Sequence, residues 1–108
     1  MKVKFTEESR SFINSLNDSG ARDKIYDITR RVEQGDRNPE IFKKLSGSEI
    51  WEFRMLFAKI AYRLFAFWDT REDALVITTH GIIKKTQKTP TREIRKAERI
   101  RQEYFNNK

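Results

Sequence analysis

Residues 50–68, Ile50-Trp51-Glu52-Phe53-Arg54-Met55-Leu56-Phe57-Ala58-Lys59-Ile60-Ala61-Tyr62-Arg63-Leu64-Phe65-Ala66-Phe67-Trp68, decide the fold. Up to Phe57 the residues alternate, with Trp51, Phe53, Met55 and Phe57 on one face and Ile50, Glu52, Arg54 and Leu56 on the other, the period of a β-strand. Residues 60–68 are apolar at nearly every position except Arg63, as expected of a central strand covered on both faces. A tight turn at Ala58-Lys59 sets Phe57 against Ile60 and places Arg54 opposite Arg63, Glu52 opposite Phe65 and Ile50 opposite Phe67. Such a turn normally carries Gly or Asn, and a three-residue loop instead sets Arg54 against Tyr62 or Leu64.

The elements around this hairpin follow from the same rules. Downstream, Asp69-Thr70-Arg71-Glu72-Asp73 is a polar turn, residues 74–83 (ALVITTHGII) form a β-branched strand, and residues 84–89 form a polar, basic loop. Thr89 is placed to cap a closing helix with Pro90 at its first position. Ile94, Ala97, Ile100 and Tyr104 are that helix's apolar face amid Arg92, Arg95, Lys96, Arg99 and Arg101. Upstream, Lys2–Phe5 alternates as a short strand, and Thr6 with Glu7 and Glu8 reads as a helix start. Phe12, Ile13 and Leu16 are the stripe of a first helix, which Asn17-Asp18-Ser19-Gly20 breaks. Ala21, Ile25, Ile28 and Val32 mark a second helix ending near Gly35, with Pro39 beyond. The order β-α-α-β-β-β-α predicts an α+β domain, a small antiparallel sheet packed on an N-terminal helical hairpin with a basic C-terminal helix.

The chain of 108 residues fits one domain over 1–108, and its eight Phe, two Trp and three Tyr are enough to fill a core despite 36% charged residues. Cysteine is absent, which excludes a disulfide framework, a thiol nucleophile and a thiolate metal site, and points to the cytoplasm. No apolar stretch approaches the roughly 18–20 residues of a membrane span or export signal. The net charge of +7 is uneven: residues 84–108 hold nine Lys and Arg against three Asp and Glu, a net +6, leaving +1 for residues 1–83. Nucleic acid is the natural partner of such a gathered charge, and a solvated helix face is its plain alternative.

Two guanidinium groups opposed across strands repel unless an anion lies between them, so Arg54 and Arg63 read as a phosphate site on a face resembling a nucleotide-stacking surface. The alternative is a carboxylate partner such as Glu52. His80, the lone histidine, fits either a hydrogen-bonded structural residue or a proton carrier, and has no second His or Cys with which to share a metal. Gly81 fits a bulge, a close backbone approach or a strand end. Lys84, Lys85 and Lys88 form a cationic loop, whose alternative is simple solvation. Tyr104 fits packing or acid–base work. Phosphate-cradling glycine loops, zinc signatures and a Ser-His-Asp order are missing, which excludes nucleoside triphosphate chemistry.

Leu45-Ser46-Gly47, Ile50-Trp51-Glu52-Phe53-Arg54, Tyr62-Arg63, the run His80-Gly81-Ile82-Ile83-Lys84-Lys85-Thr86-Gln87-Lys88-Thr89-Pro90, and then Ala97 and Tyr104 together resemble the phage-related HigB branch of the RelE/ParE toxin superfamily, over nearly the whole chain. The resemblance implies a RelE-like fold and a type II toxin, a metal-independent endoribonuclease that cleaves mRNA on the ribosome and inhibits translation. It implies no cofactor, and a HigA-like, DNA-binding antitoxin as partner. In such an enzyme a 2′-hydroxyl attacks its own 3′-phosphate, so a base, an acid and cations around the phosphorane are required. Arg54 and Arg63 then neutralise the phosphorane and Lys84 or Lys85 supports the scissile phosphate or leaving group, with His80, Glu52, a lysine or Tyr104 as base or acid. Lys88, Arg92, Arg95, Arg99 and Tyr104 become the RNA-docking surface. Two other readings stand beside it: a ParE-like, non-enzymatic poison of DNA gyrase, and a plain RNA-binding module.

Overall fold

The structure, a computed structural model, describes residues 1–85 and 88–108, with the backbone alone for residues 75–78. Thr86 and Gln87 of the basic loop lie outside the described residues. The elements are β1 (Lys2–Phe5), α1 (Glu7–Ser15), α2 (Ser19–Glu33), β2 (Phe42–Lys44), β3 (Trp51–Phe57), β4 (Ile60–Asp69), β5 (Ala74–Lys84) and α3 (Thr91–Asn106). They form a five-stranded sheet in the order β1-β5-β4-β3-β2. Strands β2 to β5 are antiparallel as expected. Two features depart from the sequence reading. The three-residue β2 adds an edge beside β3, too short to show any periodicity, and β1 joins β5 in parallel rather than antiparallel.

The sheet is covered on both sides. Ile13, Ala21, Ile25, Ile28 and Val32 from α1 and α2 pack on Phe53, Met55, Tyr62, Leu64 and Ala66, with Trp51 and Phe57 half-buried at the margin. On the other side Ala97 of α3 lies on Ile50, Phe65 and Phe67, joined by Leu45, Ile82, Tyr104 and Phe105. Phe65 and Phe67 are therefore core residues and offer no stacking surface, a correction to the sequence reading. The reason is that α3 has the apolar face to cover them, and burying two phenyl rings outweighs leaving them to a ligand.

Helix starts follow their caps. Thr6 accepts from Ser9 N–H at the start of α1, and Asp18 accepts from Gly20 N–H at 2.8 Å, so α2 begins at Ser19 and Gly20 lies inside it. Gly20 is glycine for lack of room: a Cβ there would stand 2.3 Å from the ring of Phe57. Thr89 does not cap α3. Pro90 is the N-cap residue without a side-chain bond, and the Thr89 hydroxyl donates instead to Glu52 Oε2 at 2.5 Å, drawn by a buried carboxylate.

The β3–β4 register is the one the two-residue turn requires, with Arg54 against Arg63, Glu52 against Phe65 and Phe57 against Ile60. Ala58 and Lys59 both take positive φ, 49° and 66°, as a mirror-image type I turn demands of any residue that occupies it. Left-handed backbone costs an L-residue about 1–2 kcal/mol. Lys59→Gly is accordingly expected to raise the thermal midpoint by several degrees, measured by circular dichroism, and an unchanged midpoint would remove the strain argument.

Candidate functional site

Strand alternation puts Glu52, Arg54 and Leu56 of β3, Arg63 of β4, Lys84 of β5 and Lys43 of β2 on the face that α3 covers only in part. Arg63 pairs with Ile82 and Ala61 with Lys84, which brings Lys84 beside the arginine pair. Glu52 organises the group. Its side chain is only 4% exposed, and its Oε1 stands 3.3 Å from Arg63 Nε and 3.6 Å from Arg54 Nε. The anion between the two guanidiniums is thus a side chain of the protein, as the carboxylate alternative had it. Neither Nε reaches hydrogen-bond geometry with Glu52, so the attraction is ionic, while Arg63 Nη1 donates to Tyr62 O at 2.9 Å.

The two arginines differ in reach. Arg63 is 9% exposed, and burial, ahead of its neighbour Arg54, lowers its pKa against the pull of Glu52. Arg54, 32% exposed, opens onto a cleft of about 390 Å³ lined also by Lys43, Lys44, Glu52, Lys84 and Lys88. Burial, followed by Arg63, Arg54 and Lys43, lowers the Lys84 pKa below the usual lysine range, while Glu52 opposes the shift. The cleft is a concave cationic surface with one structural carboxylate at its floor, a shape suited to a phosphodiester.

The remaining expected residues fall elsewhere. Lys85 is exposed at the end of β5 and is not among the residues lining that cleft. His80 is buried on β5 beside a register shift opposite Leu64–Ala66, with its ring on Phe65 and its Nε2 2.9 Å from Glu93 Oε1. Nδ1 lies 2.7 Å from the Thr79 hydroxyl, so a neutral imidazole donating from Nε2 and accepting at Nδ1 satisfies both. It ties β5 to the first turn of α3 and does not line the cleft. Gly81, next to it, admits the Phe12 ring, which a Cβ would meet at 2.2 Å.

Burial holds the His80 pKa below its ordinary value, outweighing the hydrogen bond it donates to Glu93. A histidine so depressed binds fewer protons folded than unfolded, so its contribution is complete above about pH 6.5 and fades as the pH falls below it. The thermal midpoint is expected to decline more steeply between pH 7 and 5.5 in the wild type than in His80→Gln; parallel declines would place the acid sensitivity elsewhere.

Arg92, Arg95 and Arg99 are exposed at i, i+3 and i+7 along α3, and Lys88 is exposed just before it. Tyr104 stands apart, about 15 Å along the helix from Ile94 at the cleft. Its hydroxyl donates to Asp69 Oδ2 at 2.7 Å and Glu72 Oε2 at 3.1 Å, and its pKa is raised, by burial first. Lys108 closes this lock at 2.6 Å from Asp69 and also bonds Glu72, holding both carboxyls below their usual range. Sequence reasoning missed Lys43 and Lys44, which reach the site only because β2 docks at the sheet edge.

The antiparallel array of β2 to β5, packed between helices, is a RelE-like fold. Its backbone superposes on a chain of the intact E. coli RelBE toxin–antitoxin complex with a TM-score of 0.51 at 12% identity, covering 81% of this chain and 98% of that one. Residues 11–102 match the model of the phage-derived Gp49-like family. The chain belongs to that family, a RelE/HigB-type toxin family. A comparison with curated protein sequences finds no match. Among the described residues no helix is long and apolar enough to cross a membrane.

Proposed function

We propose that this protein is the toxin of a toxin–antitoxin pair and acts as a ribosome-dependent endoribonuclease that cuts mRNA and stops translation. The observation that carries the reading is the cationic cleft lined by Arg54, Lys84 and the buried Glu52, with Arg63 buried against the same carboxylate. In the proposed reaction the 2′-hydroxyl gives up its proton to water, its oxygen attacks the adjacent phosphorus, and the bond to the 5′-oxygen breaks as that oxygen takes up a proton. Arg54 contacts the phosphorane oxygens directly, and Arg63, braced by Glu52 and Tyr62 O, adds its charge from below. Lys84, its pKa lowered by burial and by its cationic neighbours, is the proton-transfer group we assign to the leaving oxygen. His80 has no part in this scheme beyond fixing α3, because it is buried between Thr79 and Glu93. Lys88, Arg92, Arg95 and Arg99 dock the protein on structured RNA in the cytoplasm.

The solved relative is a toxin–antitoxin complex, which supports an antitoxin as partner, and we propose that this antitoxin is HigA-like and DNA-binding. Primer extension on a reporter message, with and without ribosomes, tests the activity. New 3′ ends that need ribosomes are the expected result. Intact message together with inhibited DNA supercoiling would transfer the protein to the gyrase-poison reading.

A further inference from the structure

Toward the β3–β4 turn, the sheet face that α3 partly covers carries two rows of side chains. Arg54, Arg63 and Ile82 form one row across β3, β4 and β5, and Leu56, Ala61 and Lys84 form the next, about 7 Å further along each strand. Leu56 is 66% exposed, more than any other large apolar side chain among the described residues. Beside it the short Ala61 leaves a notch. The lining of this depression, of about 250 Å³, includes Glu40, Arg54, Leu56, Ala61 and Arg63. It adjoins the cationic cleft, and Arg54 is a wall of both.

Glu40 stands on the rim, at the turn before β2, and its backbone is fixed there. Its N–H donates to Asn38 Oδ1 at 2.9 Å, and the next residue, Ile41, accepts from Arg54 N–H through its carbonyl at 2.9 Å. Both arginines pair with Glu52 on the cleft side, so the exposed Glu40 carboxylate faces the notch with no call on their charge.

An aliphatic floor, a guanidinium wall and a carboxylate on the rim together suit a nucleobase, whose flat face packs on such surfaces and whose edge carries N–H donors. The volume falls below the roughly 300–1,000 Å³ of a drug-sized pocket and leaves room for a single ring system. A phosphate held by Arg54 in the cleft has its own base one sugar away, which is the step from the arginine row to the Leu56 row. An acidic peptide would be repelled by Glu40, and a purely apolar side chain would leave Arg54 and Glu40 unused.

We propose that this notch seats the base of one of the two nucleotides joined by the scissile phosphate, and that Glu40 makes it select adenine, cytosine or guanine over uracil. The exocyclic amino group of the first three donates to a carboxylate. Uracil offers one N–H between two carbonyl oxygens, which a carboxylate repels. The proposal rests on the cleavage reading, and its test separates the two.

Reporter messages that differ only in the base on one side or the other of a single cut are followed by primer extension in a translating extract. On one of the two sides the wild type is expected to cut beside A, C or G about tenfold faster than beside U, the usual size of one such base contact. Glu40→Gln, whose amide can donate to a uracil carbonyl, should bring the ratio to within about twofold. Leu56→Ser should slow cutting beside every base at an unchanged circular dichroism spectrum. Ile83→Ser removes an apolar residue 46% exposed on the opposite face, paired with Tyr62, and should change neither rate nor pattern. Equal rates for all four bases on both sides, or a bias against U that survives Glu40→Gln, overturns the subsite while the cutting itself stands. Leu56→Ser cutting at the wild-type rate overturns it in favour of a protein partner for the exposed leucine. Message left intact by the wild type sinks the cleavage reading, and the subsite with it.

Discussion

Arg54→Ala should lower mRNA cleavage in a translating extract by about 100- to 1,000-fold, the usual loss when one preorganised contact to a developing oxyanion is removed. The side chain is partly exposed, and its removal relieves repulsion from Arg63 while leaving Glu52 a partner. The fold should therefore survive, with a thermal midpoint within a few degrees of the wild type. Arg63→Ala makes the informative contrast: it too should abolish cutting, but with a lower midpoint, because a buried ion pair and a bond to Tyr62 O are lost together. Cleavage by Arg54→Ala at the wild-type rate would remove Arg54 from the chemistry.

The largest effect on stability is expected from Glu52→Gln. Its carboxylate is almost fully buried, stands within 3.6 Å of both guanidiniums and accepts from Thr89. Taking its charge away leaves Arg63 as a buried cation facing a second one, and breaking a buried pair in this way costs about 3–5 kcal/mol. For a domain of this size that is a fall of more than about 10 °C in midpoint. Glu52→Gln combined with Arg63→Met should recover a good part of it, since the stranded charge is gone; additive losses in the double-mutant cycle would show that the two residues are not coupled.

Strong periodicity explains why the hairpin could be read so fully from sequence. The alternation of Trp51–Phe57 and the apolar run of Ile60–Trp68 left one register consistent with a two-residue turn, and that register alone predicted Arg54 opposite Arg63. Position along a strand is local information. Contacts between distant segments are not, and there the reading fell short. Nothing near Thr89 indicates that its hydroxyl turns to Glu52 rather than to its own helix, because the competitor lies 37 residues away. The burial of Phe65 and Phe67 depends on how α3 is laid across the sheet. Lys43 and Lys44 belong to a strand of three residues, held by pairing with Trp51–Phe53 rather than by any pattern of its own. His80 was ambiguous for the same reason: its surroundings are Phe65, Thr79 and Glu93, of which only Thr79 is its neighbour in the chain.

The parallel pairing of Lys2–Phe5 with Ala74–Ile77 joins the first strand to one made some 70 residues later. During synthesis β1 has no strand to join until β5 has been made, and such long-range closure is slow compared with helix formation. Lys88 and α3 follow later still. A nascent chain thus carries both arginines well before it owns a finished cleft.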